Sequence, residues 1–253
     1  MRYSLRLGFA AALFALSGSV APAQPISDTQ RTEIERIIRE YLINHPEVLQ
    51  EAIAELEKRQ AKNDAEKHKT AIKDNAEALF NSPHHVSIGN LKGDVTFVEF
   101  FDYNCGYCKR AMTDMMTLMK ADPNLKVVLK EFPVLGPGSQ DAAKVGVAVR
   151  MQDKTGKKYL EYHQKLMTGR GQIDKARALS AAKEVGLDMA RIERDLGGEE
   201  VRASIEESFK LAEKLGVNGT PAYVIGNDVV VGAVGVEALR EKINNARCGK
   251  ETC

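Results

Sequence analysis

The segment FFDYNCGYCKRAM, residues 100–112, sets Cys105 and Cys108 two residues apart, where a strand-like run gives way to helical spacing. DVTFVEFFDY is rich in β-branched and aromatic residues and predicts a strand over 94–101. Met112, Met115, Met116 and Met119 then recur at intervals of three and four, predicting a helix over 105–120. A second strand, LKVVLKEF, follows at 125–132, and the order strand, helix, strand implies a parallel βαβ unit. The cysteine pair therefore opens a helix at the end of a strand.

Cys-x-x-Cys spacing can hold zinc, attach haem or cycle between dithiol and disulfide. Haem attachment requires a histidine after the second cysteine, and Lys109 stands there. Structural zinc requires four ligands. The other cysteines, Cys248 and Cys253, lie far downstream, and zinc stays open only if the fold joins the pairs. Redox cycling has a positive argument. At a helix start, unpaired N–H groups and the positive end of the helix dipole favour thiolate at Cys105. Cys108, one turn further in, is better shielded. The exposed sulfur attacks a substrate disulfide and the shielded one resolves the mixed disulfide. Gly106 and Tyr107, between them, help set the potential.

The compartment matters to this chemistry. MRYSLRLGFAAALFALSGSVAPAQ has a short basic start at Arg2 and Arg6, an apolar stretch from Leu7 to Leu16, and a small-x-small site at Ala21-Pro22-Ala23. This is the three-part pattern of a secretory signal peptide over 1–23, with an uncleaved anchor as the alternative. The expected location is the periplasm, where thiols are not held reduced by default. With 36 Lys and Arg against 35 Asp and Glu, net charge +1, there is no electrostatic case for nucleic acid or an anionic membrane surface. No cofactor and no resident metal is expected.

Upstream, residues 28–80 read as helix almost throughout, with an N-cap at Asp28 or Thr29. Ile34, Ile37, Ile38, Tyr41 and Leu42 form one apolar stripe; Val48, Leu49, Ala52, Ile53 and Leu56 form another beyond Pro46, which suits a first helical turn. From Glu57 to Ala78 the sequence is polar nearly all round, as in a solvated linker. Two short helices bury too little to stand alone, so the stripes need a partner: another copy, or the chain's own downstream domain. Downstream, helices are expected at about 139–151, 157–168, 174–185, 188–196 and 199–215. A hairpin of AYVIG and VVVGA turns at Asn227-Asp228, and a last helix covers 235–246. The expected division is a helical oligomerisation segment at 24–60, a charged linker at 61–83, a catalytic domain at 84–247 with a helical insert at 139–215, and a tail at 248–253. In that tail Cys248 and Cys253 could close a small ring. The methionines are read as packing before soft-metal ligands, and His84-His85 as a solvated loop start.

VEFFDYNCGYCKRAM, together with GVNGTPAYVIG far downstream, resembles the thioredoxin-fold thiol–disulfide oxidoreductases of the DsbA type. The resemblance spans about 84–246 and implies an α/β thioredoxin fold interrupted by a helical domain and preceded by a helical extension. It implies that Thr220-Pro221 is the cis-proline loop lying against the disulfide and pairing with substrate backbone. It further implies that Glu99 is a buried acid beneath Cys108 that relays its proton, with Lys130 as its partner. The N-terminal helices resemble those of the ScsC-like subgroup, where such a segment drives oligomerisation. Where DsbA carries Pro-His between its cysteines and valine before the cis-proline, this chain has Gly106-Tyr107 and Thr220. Those residues look more like disulfide isomerases of the DsbC type and imply a less oxidising couple. The expected function is a periplasmic thiol–disulfide oxidoreductase with isomerase activity on misfolded proteins, recycled by a membrane redox partner. The alternatives are a monomeric dithiol oxidase or a Cu(I)-binding copper-tolerance protein.

Overall fold

Apolar residues fill five of the seven positions of Val95–Phe101 and four of the seven of Leu125–Glu131, and both segments are strands buried on two faces, β2 and β3. The computed structural model describes residues 26–253; the signal-peptide reading at 1–23 lies outside them. The chain divides into two units between Glu57 and Lys58.

In the first unit, helix α1 spans Asp28–Asn44. Its N-cap is Ser27 rather than the expected Asp28 or Thr29, because Ser27 and Gln30 satisfy each other's backbone N–H in a capping box. Helix α2, Glu47–Asp74, begins in this unit directly after Pro46 and ends in the second unit. The expected border at 60/61 falls inside this helix, so charge composition changes there and secondary structure does not. Ile34, Ile37, Ile38, Tyr41, Leu49, Ile53 and Leu56 are all exposed.

In the second unit, a short helix α3 (Ala76–Phe80) leads into strand β1 (Val86–Gly89), then β2, helix α4 (Gly106–Ala121) and β3. The insert follows as α5 (Pro137–Gln152), α6 (Lys157–Thr168), α7 (Lys175–Glu184), α8 (Met189–Asp195) and α9 (Glu199–Lys214). The hairpin β4 (Ala222–Ile225) and β5 (Asp228–Val231) turns through Gly226 at φ +58°, a conformation that favours glycine, and α10 (Val236–Cys248) closes the unit. The sheet order is β1-β3-β2-β4-β5, with β2 parallel to β3 and the other neighbours antiparallel.

Strand alternation sorts the side chains into two cores. Phe97, Phe101, Val127, Leu129 and Tyr223 pack with Met112, Met115 and Leu118 of α4 and with much of the insert. Val98, Phe100, Val128 and Val224 pack on the opposite face with Leu79 and Leu211. Met112 and Met115 are thus core residues, as the packing reading expects. His84 and His85 depart from the solvated reading. His84 Nδ1 lies 3.0 Å from Glu200, and the His85 Nδ1 is buried without a hydrogen bond. Cys248 and Cys253 form a disulfide at the end of α10, so the four cysteines make two separate pairs and share no zinc site.

Candidate active site

Strand β2 ends at Phe101, and Asp102 turns the chain so that Cys105 caps α4. Cys105 keeps extended backbone, φ −77° and ψ 115°, which aims its side chain back at the free N–H groups of the first turn. Its Sγ accepts the Cys108 N–H at 3.4 Å. The Cys105 thiol donates to the Thr220 carbonyl at 3.2 Å. Both cysteines are reduced. Cys105 retains 6% exposure and Cys108 none, so of the two only Cys105 reaches solvent.

The two thiols are driven apart in acidity. A hydrogen bond from the Cys108 side chain lowers Cys105 to about 5, opposed by burial and helped by hydrogen bonds from Thr220 and the helix N–H groups. Burial pushes the Cys108 thiol far up, reinforced by its hydrogen bond to Cys105 and by the Glu99 charge. These shifts favour a thiolate at Cys105 and a protonated thiol at Cys108 beneath it. Tyr107 is 60% exposed with the Arg110 guanidinium 4.8 Å from its ring centre, while a side chain on Gly106 would meet nothing within 4 Å. Both residues therefore face solvent rather than core. The Thr220-Pro221 peptide bond is cis.

Glu99 is 2% exposed and points to the α4 side of the sheet. Burial, then the nearby Cys105 and Asp114, raise its carboxyl to about 8. Lys130 does not reach it. Glu99 sits opposite Leu129 in the β2–β3 register, and Lys130 sits opposite Phe100, on the other face of the sheet. There Lys130 Nζ donates to Glu207 at 2.7 Å and to the Ala78 carbonyl at 2.6 Å. The expected Glu99–Lys130 pair is therefore corrected: side chains alternate between faces along a strand, and Lys130 has the wrong parity.

Two residues passed over in the sequence, Asp102 and Asn104, stand just before the pair. Asp102, 1% exposed, accepts from Asn104 N at 2.8 Å, Ser139 Oγ at 2.7 Å, Val134 N at 2.9 Å and Leu135 N at 3.0 Å. Its own carbonyl accepts the Cys105 N–H at 3.1 Å. Asp and Asn just before a helix are turn formers, and that signal could have marked Asp102 and Asn104. Their partners, scattered over 134–173, could not be read from spacing. His163 is buried against the rings of Phe101, Tyr103 and Tyr159. Burial lowers it to about 3 and keeps it neutral, as expected of a core residue.

Residues 96–244 match the DSBA-like thioredoxin domain, and residues 30–63 match the Copper resistance protein ScsC N-terminal domain. The chain is similar to a thioredoxin-like oxidoreductase from Silicibacter pomeroyi, at 44% identity over 68% of this chain and 96% of that one, TM-score 0.64. It is also similar to ScsC from Proteus mirabilis in a transitional conformation, at 28% identity over 88% and 97% of the two chains, TM-score 0.64. Curated relatives include the Na(+)/H(+) antiporter NhaA 1 of Salinispora arenicola, 27% identical over 64% of this chain and 24% of the relative. They also include the thiol:disulfide interchange protein DsbA of Bordetella pertussis, 24% identical over 53% and 64%. The chain thus spans about a quarter of the antiporter relative and under two-thirds of the DsbA relative.

Proposed function

We propose a function from the premise that this chain belongs to the DSBA-like thioredoxin domain family: it is a periplasmic thiol–disulfide oxidoreductase that uses Cys105 and Cys108 and isomerises wrongly paired protein disulfides. The observation that carries the reading is the Cys105 sulfur at the N-cap of α4, accepting the Cys108 N–H above a fully buried Cys108 side chain.

The Cys105 thiolate attacks one sulfur of a substrate disulfide. An S–S bond forms between Cys105 and the substrate, the old S–S bond breaks, and the second substrate sulfur leaves as thiolate. Two exits follow. The freed substrate thiolate can attack elsewhere in its own chain, and a rearranged thiolate then displaces Cys105, so that no net oxidation occurs. Alternatively Cys108 loses its proton and attacks the Cys105 sulfur, leaving a Cys105–Cys108 disulfide and a reduced substrate. Glu99, titrating at about 8 beside this proton, is the acceptor in that step. Once Cys105 is a thiolate it no longer donates to the Thr220 carbonyl, which is then free to accept an N–H from an extended substrate peptide. Pro221 has no N–H to compete.

The exposed stripes of α1 and α2 support self-association, which would hold two or more sites around a shared substrate. Oligomerisation would also shield Cys105 from a membrane partner that oxidises single domains. Substrate trapping tests the reading. Cys108→Ser should accumulate mixed disulfides with cysteine-containing substrates, and Cys105→Ser should form none. The reverse result would overturn the assignment of roles.

A further inference from the structure

The insert meets the redox turn at Ser139 of α5 and along one loop, Gly169–Ile173, between α6 and α7. This loop has no regular secondary structure, yet each of its five consecutive carbonyls has a side-chain donor. Lys109 Nζ donates to Gly169 O at 2.8 Å and reaches Gly171 O at 3.5 Å. Arg177 donates to Arg170 O, and to Gln172 O at 3.2 Å. Asn104 Nδ2 donates to Ile173 O at 2.9 Å, and Asn104 Oδ1 accepts Ile173 N–H at 2.7 Å.

Two of these three donors bracket the cysteines. Asn104 immediately precedes Cys105. Lys109 lies four residues after it, on the same face of α4. Asn104 is itself held from the other side, where Ser139 Oγ bridges its amide at 3.0 Å to the Asp102 carboxylate at 2.7 Å. The backbone on either side of the Cys105 sulfur is thus fastened to a segment 60 to 69 residues away.

We propose that Gly169–Ile173 is a fixed rim of the redox site, and that Asn104 and Lys109 are positioning residues that hold the Cys105 turn against it. The inference rests on the redox reading above. Its physical basis is the aim of the bond it protects: the Cys108 N–H reaches Cys105 Sγ at 3.4 Å, and rotation of the 104–105 peptide would turn the sulfur off that N–H. A two-way clasp on Asn104 blocks that rotation.

The test is a pH titration of thiolate ultraviolet absorbance on the reduced, full-length chain. Cys108 stays protonated throughout, so the signal reports Cys105. Asn104→Ala should raise the Cys105 midpoint by about one unit, a tenfold loss of thiolate fraction below the midpoint. Lys109→Met, which keeps the aliphatic stem and removes the donors, should move it in the same direction by less. Gln152→Ala is the control: Gln152 makes a similar two-way clasp with the Asp188 backbone, far from the cysteines in the insert. It should lower the melting temperature and leave the midpoint where it is. An Asn104→Ala midpoint equal to the parent's, with a melting loss like that of Gln152→Ala, would reduce the network to ordinary scaffolding and overturn the proposal. If Asn104→Ala fails to fold, an unmoved midpoint in Lys109→Met overturns it instead. The titration needs no substrate, so a parent chain that fails to exchange disulfides sinks the redox reading without deciding this one.

Discussion

Glu99→Gln isolates the proton beneath the cysteines. The Glu99 carboxyl titrates at about 8 in the folded chain against 4.5 as a free side chain, chiefly because burial disfavours its charge. An acid raised on folding weakens the fold as pH climbs: the cost begins near 4.5 and is complete above 8. At about 1.4 kcal/mol per unit, stability falls by about 2.5 kcal/mol between pH 5 and pH 7 from this group alone. Glutamine keeps the shape and never ionises, so the variant lacks that slope. Cys105 titrates with the opposite sign: its value is lowered to about 5, so stability from its thiolate grows above pH 5. That slope is common to both proteins and cancels in their difference. Melting curves of reduced parent and variant at pH 5 and pH 7 provide the assay. The variant's advantage should grow by about 5–10 °C across that interval, using about 2–4 °C per kcal/mol for a chain of this size. Resolution of mixed disulfides should slow by about a hundredfold, since glutamine accepts no proton. Melting differences that are equal at the two pH values would refute a buried, uncharged Glu99.

Lys130→Met should cost about 3 kcal/mol by taking the cation from Glu207, which keeps the Ser82 hydroxyl, seen as a lower denaturant midpoint. It should leave disulfide-exchange rates unchanged, and a slowed rate would return Lys130 to the redox machinery. Deleting residues 28–60 should give a monomer by light scattering that keeps thiol exchange and loses activity in scrambled-substrate refolding. A parent chain that is already monomeric would remove the basis for isomerisation and favour the oxidase reading.

Elements whose information is local were legible in the chain. Strand β2 and helix α4 followed from a change of apolar period at a single point, and the cysteine pair sat on that junction. The insert helices were marked by their own glycines and caps, each within a few residues of the helix it ends. Glu99 could be placed in a buried strand because every neighbour from Val95 to Phe101 but Thr96 is apolar. Lys130 shows where such reasoning stops. A lysine in an apolar strand must find a partner, yet the sequence does not state the register of β3 against β2. One residue of register decides which face a side chain joins, and Lys130 fell on the side of Glu207. The same holds for Asn104 and Asp102, which mark a turn by residue type while their partners Val134, Ser139 and Ile173 depend on how the insert returns to the sheet. Local chemistry placed a reactive sulfur at the head of a helix. Only the tertiary structure could bury Cys108, bring Thr220 to within 3.2 Å of Cys105 and fasten a distant loop to the turn before Cys105, because each is a contact between segments that propensity and periodicity treat as independent.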